Sequence, residues 1–246
     1  MKDHFRENLI LDRYDPVFFS MRGSKLEHMR SENSEDVVTW NVFRSLSKLD
    51  PSAWFQEMFE RSFGHSVGLP SRGVVIDLWR SASPPPGIRE HQNDEGASEI
   101  DVVIENEELV WYIEAKFKSD ISLKTTANAE RDQVIRNIDV GSWHAAPRDF
   151  YFSLLVLDRS RSPEGVRRVE KYSRKAGLPK DLLKHRPDGV ANFKGASVIT
   201  WREIEHVLRA AEPQLANKDE KAIASSAADY LAELHRRRDV KRLLTG

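Results

Sequence analysis

The chain has 246 residues, 39 % of them hydrophobic and 31 % charged, with a net charge of −1 and no cysteine. That apolar fraction suffices for one sizeable core, or for one core with an appended helical part. The missing thiols exclude a disulfide framework and any cysteine-based metal site. No run approaches the length of a membrane span and the N-terminus lacks a basic-then-apolar signal pattern, so no membrane partner and a cytoplasmic location are expected.

The first periodic segment is a helix that Asn33 or Ser34 can cap, with Glu35 in its first turn and a stop at Asp50-Pro51. Its apolar stripe runs Val38, Val42, Phe43, Leu46 and Leu49. At about 100° per residue, Glu35 shares an azimuth with Val38, Thr39, Val42 and Leu46, and Asp36 lies nearly a quarter-turn away. An acid facing inward is expensive without a partner, although a first-turn acid also gains from the helix dipole. Trp54, Phe55, Phe59 and Phe63 then form an aromatic stripe that reads as core. Gly73 to Trp79 reads as a strand, with Asp77 as a salt-bridge partner or an accessory ligand. Ser81 to Ser98 is a long polar loop around Pro84 to Gly87, of the kind that is functional or disordered.

Two strand-like runs follow, Ile100 to Ile104 and Leu109 to Phe117, flanking a polar turn at Asn106-Glu107-Glu108. A two-residue loop at Glu107 and Glu108 pairs Asn106 with Leu109, and so sets Asp101 opposite Glu114 and Glu99 opposite Lys116. One face then holds Asp101, Val103, Tyr112, Glu114 and Lys116. The other holds Ile100, Val102, Ile104, Trp111, Ile113, Ala115 and Phe117, almost wholly apolar. A two-residue slip keeps Asp101 and Glu114 together; a one-residue slip separates them but turns the apolar set outward. Two carboxylates converging on one point suit a hard divalent cation. A lysine two residues along the same strand can orient a water or neutralise developing charge. Apposed carboxylates repel, so removing one is expected to be neutral or stabilising in the metal-free chain. A surface ion-pair cluster on a solvated sheet face is the plainer alternative.

Beyond the hairpin, a helix is expected from about Ala127 to Val140, with Ala127, Val134, Ile135 and Ile138 inward and Gln133, Arg136 and Asn137 beside them. Phe150 to Leu157 reads as a buried strand. Between Arg159 and Arg186 stand ten basic residues against three acidic ones. Such a segment can track a phosphate backbone, or form a solvated surface. Ala196 to Trp201 is a further strand, and helices are expected at about Arg202 to Ala211 and Asp219 to Leu244, the last ending in a basic cluster from Arg236. The eight histidines form no i, i+4 pair and no His-x-His, which removes a histidine-based zinc site. No Gly-rich phosphate loop and no G-x-S-x-G elbow is present.

Asp101, then Glu114-Ala115-Lys116 after a short hairpin, resembles the PD-(D/E)xK nuclease superfamily. Ile100 stands where the literal motif has proline. The resemblance covers roughly Glu35 to Asn137. It implies an α/β, restriction-endonuclease-like core, a mixed central sheet made of an antiparallel meander followed by crossover strands, flanked by helices, with further N- and C-terminal helices. On this reading residues 1–246 form a single domain with its core at about 34–201 and a helical extension at about 202–246. The resemblance implies a metal-dependent nuclease acting on DNA before RNA, with Asp101 and Glu114 binding Mg²⁺ or Mn²⁺ and Lys116 positioning the attacking water. Many members carry a glutamate on an N-terminal helix and several a glutamine on the helix after Glu-x-Lys. Glu35 matches the first, as a metal ligand, and Gln133 the second. A homodimer is compatible with this reading. A catalytically inactive nucleic-acid-binding or interaction module on the same fold is the alternative.

Overall fold

The computed structural model describes residues 4–32, 34–65, 71–88, 96–124 and 131–245. Helices α1 (Val17–Ser20), α2 (Gly23–His28), α3 (Glu35–Leu46) and α4 (Phe55–Phe63) come first. Strands β1 (Val75–Ala82), β2 (Ser98–Glu105) and β3 (Leu109–Ala115) follow. Then come α5 (Gln133–Ala145), β4 (Asp149–Val156), α6 (Pro163–Tyr172), β5 (Phe193–Thr200), α7 (Trp201–Ala211) and α8 (Lys218–Thr245). The chain divides into two compact units. A helical unit takes Met1–Arg61, Ser66–Ser71 and Trp201–Gly246, and a sheet unit takes Ser62–His65 and Arg72–Thr200. Helix α3, expected within the core at about 34–201, thus counts with the C-terminal helices. Among the described residues no helix is long and apolar enough to cross a membrane.

In the helical unit, Ser34 caps α3 by accepting the Val37 N–H at 3.2 Å. Asn41 holds the N-terminal segment from the middle of α3: its Oδ1 accepts from Ile10 N at 3.0 Å and its Nδ2 donates to Asn8 O at 2.9 Å. These bonds satisfy a fully buried amide that would otherwise be costly. Trp40 packs against Phe18 with the rings tilted and their centroids 4.6 Å apart, and Phe43 meets Trp201 edge-on at 6.1 Å. At the far end of the chain, Arg236 and Arg237 are tied to Glu233 at 2.8 and 2.7 Å, as helical neighbours.

The sheet unit is built on one five-stranded sheet in the order β1-β2-β3-β4-β5. The first three strands form an antiparallel meander, and β3-β4 and β4-β5 are parallel. Parallel neighbours require a crossover, which α5 and α6 supply. Both helices cover the same face. Val134, Ile135 and Ile138 of α5 and Val169 and Tyr172 of α6 share one core with Val103, Tyr112, Phe150, Phe152, Leu154 and Val198 of the strands. Fully burying one such side chain contributes about 1.5–3 kcal/mol. Helix α5 lies close because Gly141 has no side chain: a Cβ there would come within 2.1 Å of Phe150 Cζ and 2.9 Å of Tyr112 Cδ2. On the opposite face Trp111 Nε1 donates to Ser153 Oγ at 2.9 Å, and Ser153 meets Ser197 at 2.7 Å. Phe63 packs there on Trp111 and Tyr151.

Helix α5 begins later than its apolar stripe suggests. Asp132 is its N-cap, with Oδ1 accepting from Ile135 N at 2.9 Å, so Gln133 is the first helical residue. An aspartate at that position offers a better cap than continued helix can. Residues 127–130 of the expected helix lie outside the described residues, as do 89–95 of the proline-containing loop.

Candidate active site

The hairpin register follows from its turn. Asn106 Oδ1 accepts from both Glu108 N and Leu109 N at 2.9 Å, and Asn106 N donates to Leu109 O at 3.1 Å. From there the ladder runs Glu105↔Val110, Ile104↔Trp111, Val103↔Tyr112 and Val102↔Ile113, the register a two-residue loop at Glu107 and Glu108 requires. The ladder stops there, one step short of Asp101, and Ile100, expected on the opposite face, shares one core with Val103 and Tyr112, so the alternation of β2 breaks at Asp101.

At that step the sheet opens on both sides of Asp101. Hydrogen-bonded pairs alternate in an antiparallel ladder, so Ala115 N should next reach Ile100. It donates instead to Asp101 Oδ2, at 2.9 Å. On the other side the β1-β2 ladder pairs Leu78 with Val102 and Arg80 with Ile100 but omits Trp79 and Asp101. Trp79 has φ +57°, a left-handed conformation costly for a bulky residue. Strained backbone of this sort is concentrated at functional sites. Asp77 is the salt-bridge partner of Arg80, at 2.8 Å.

Glu114 is 4 % exposed and accepts three side-chain hydrogen bonds. Lys116 Nζ donates to Oε1 at 2.7 Å and Gln133 Nε2 to the same oxygen at 2.6 Å. Asn137 Nδ2 donates to Oε2 at 2.8 Å. A buried carboxylate needs such partners. Gln133 is itself fixed, since its Oε1 accepts from Ser122 N at 3.2 Å and its backbone N donates to Ser122 O at 3.0 Å. The sequence drew attention to Gln133 and passed over Asn137, which stands one helical turn on. The i, i+4 spacing of two amides on one helix was the available signal.

This cluster sits at the carboxyl end of β3 and at the N-termini of both crossover helices, where open α/β sheets bind ligands. Asp120 Oδ2 and Oδ1 accept from Glu164 N and Gly165 N, each at 2.9 Å, which fastens the segment after Lys116 to the first turn of α6. From α6, Arg168 Nε approaches Asp132 Oδ2 at 3.4 Å, and Tyr172 donates its hydroxyl to the same oxygen at 3.0 Å. Burial, and after it the charge of Asp132, push the Tyr172 phenol above its ordinary range.

Of the residues expected at the site, the sheet unit brings Asp101, Glu114, Lys116 and Gln133 together. Glu35 belongs to the helical unit, where it opens α3 half-buried, and the neighbouring Asp36 pairs with Lys25 at 3.2 Å. The basic segment is only partly surface. Arg186 is 4 % exposed and binds Asp139 at 3.1 Å and Asp188 at 2.8 Å. Asp139 also takes Arg131 at 3.0 Å and His185 at 2.7 Å, so Arg186 belongs to a buried network. Arg174, Lys175, Lys180 and Lys184 stand at or near the surface, outside that network.

Among the described residues no three His, Cys, Asp or Glu side chains are grouped to hold a metal by themselves. Mg²⁺ asks for less: it is held through one or two carboxylates and keeps waters and substrate phosphate as its other ligands. Asp101 and Glu114, both hard oxygen donors, fit that demand. Compared with protein-family models, with curated proteins and with solved structures, the chain matches none.

Proposed function

We propose that this protein is a divalent-metal-dependent nuclease of the restriction-endonuclease-like fold, a cytoplasmic enzyme that hydrolyses phosphodiester bonds of nucleic acid, DNA in the first place. The observation that carries the proposal is the buried Glu114, bonded to Lys116 two residues on, with the backbone N–H of the intervening Ala115 donated to Asp101. A buried carboxylate and a nearly buried lysine at the end of a central strand are costly to keep without a use for them. The order of elements, a three-stranded antiparallel meander and then a helical crossover to a parallel strand, supports the same reading.

Asp101 and Glu114 would hold Mg²⁺ or Mn²⁺, which supplies a Lewis acid for the scissile phosphate and lowers the pKa of a bound water. Lys116 brings a cation to the place where negative charge develops. Gln133 orients Glu114. The part of Glu35 as a further ligand rests on the resemblance alone.

A nucleic-acid-binding or interaction module without hydrolysis is the second reading. It is favoured by the three side-chain donors that already satisfy Glu114. Supercoiled plasmid and labelled RNA, incubated with the protein in Mg²⁺ or in EDTA, separate the two. Metal-dependent cleavage that falls at least about 100-fold in Lys116→Ala and in Asp101→Asn is expected. Nucleic-acid binding with no cleavage in any divalent metal would establish the second reading in its place.

A further inference from the structure

We infer that Asn137 is a positioning residue that reserves Oε2 of Glu114 for the metal, while Lys116 and Gln133 occupy Oε1. The inference rests on the nuclease reading of the site and deepens it. A carboxylate offers about four lone-pair positions, two on each oxygen. Among the described residues Oε1 receives two donors, Lys116 Nζ at 2.7 Å and Gln133 Nε2 at 2.6 Å, and is filled. Oε2 receives only Asn137 Nδ2, at 2.8 Å, and keeps one position open. The donor beside that opening is an uncharged amide. It can hold the oxygen in place without repelling a cation, as the ammonium of Lys116 would.

Helix α5 fixes Asn137 independently of any ligand. Asn137 is 3 % exposed and flanked by Ile138 and by Asp139, which Arg131, His185 and Arg186 hold from three sides. The helix can neither turn nor slide without breaking that network. Asn137 is thereby a rigid rest against which Glu114 is set, the arrangement by which residues behind a metal ligand tune its affinity.

The test is Mn²⁺ affinity of the full chain without nucleic acid, read from the electron paramagnetic resonance signal of free Mn²⁺. Asn137→Leu keeps the volume and removes the donor to Oε2. It is expected to weaken Mn²⁺ binding about 10–100-fold, whereas Gln133→Leu, acting on the other oxygen, changes it by less than about threefold. Equal losses in the two variants, or no loss in Asn137→Leu, overturn the inference and leave the nuclease reading standing. A wild-type protein that binds no Mn²⁺ overturns the metal reading, and the inference with it. Should Asn137→Leu fail to fold, Asn137→Asp decides. Its carboxylate faces Glu114, so its melting temperature in EDTA falls below that of wild type, and Mn²⁺ raises it by more than it raises the wild type. An Asn137→Asp protein indifferent to Mn²⁺, beside a wild type that responds, overturns the inference.

Discussion

The carboxylate of Asp101 accepts the backbone N–H of Ala115 at 2.9 Å, in the place where the ladder would next use a backbone carbonyl. One oxygen of Asp101 therefore closes the opened sheet. Asp101→Asn keeps a carbonyl oxygen for Ala115 and is expected to change stability by under about 1 kcal/mol while abolishing metal-dependent cleavage. Asp101→Ala strands the N–H of fully buried Ala115 and should cost about 1–3 kcal/mol. Urea unfolding of the two variants checks the difference; equal stabilities would show that the bond to Ala115 carries no weight.

Glu114→Gln brings a correction to the sequence reading. Repulsion between apposed carboxylates led to an expectation of neutral or improved stability without metal. The structure instead surrounds Glu114 with three donors, one of them the ammonium of Lys116. A neutral glutamine turns an amide NH₂ on some of those donors and leaves Lys116, only 11 % exposed in its side chain, without this counter-ion. The expected loss in EDTA is about 2–4 kcal/mol. Chemical denaturation measures it, and an unchanged midpoint would mean that the three donors contribute nothing net.

Tyr112 sets the alkaline limit. Burial pushes its phenol up to about 12, and its hydroxyl has no hydrogen-bond partner among the described residues. In the unfolded chain a tyrosine titrates near pH 10. The folded pKa is the raised one, so this contribution is intact below about pH 10 and is lost as pH climbs towards 12, by about 2–3 kcal/mol in all. Tyr112→Phe is expected to be neutral or stabilising at pH 7 and to flatten that loss. Part of the slope stays with Tyr230, likewise pushed up to about 12 by burial. Melting temperatures between pH 8 and 12, an interval chosen to bracket both phenol pKa values, would refute this if wild type and variant fell in parallel.

Gly141→Ala should destabilise despite the better helix propensity of alanine. Propensity favours alanine by about 1 kcal/mol, but the new Cβ would lie 2.1 Å from the Phe150 ring. Overpacking of that kind costs about 1–3 kcal/mol and can cost more, so the net change is a loss. A melting temperature above wild type would show that α5 can lift off the sheet at no cost.

The surface cations of the basic segment invite a salt titration. Replacing Arg174, Lys175, Lys180 and Lys184 by glutamine should weaken nucleic-acid binding and flatten its salt dependence, by a slope of about 0.7–0.9 for each phosphate no longer neutralised. Catalysis at saturating substrate should change less. Arg186→Gln, by contrast, should unfold the protein in lower denaturant, since that arginine is buried against Asp139. Unchanged affinity and salt slope in the fourfold variant would leave the segment an ordinary solvated surface.

What the sequence by itself determined is what a local period can carry. Side chains alternate with a period of two along a strand, and Asn106 sets the turn. Hence Tyr112 and Glu114 fell on one face, and the meander and the crossover strands were legible in order, whereas Ile100, which the same period assigns to the other face, shares the core of Val103 and Tyr112 because the ladder is interrupted at Asp101. Only the tertiary structure decided what surrounds them. The two amide donors to Glu114 come from 19 and 23 residues further along the chain, on a helix whose starting point depends on the cap at Asp132. Arg186 is drawn 47 residues back in the chain to a buried aspartate, which no count of charges reveals. Periodicity assigns a side chain to a face; its partner across space is assigned by packing, because a buried polar group must find its hydrogen bonds wherever the folded chain brings them.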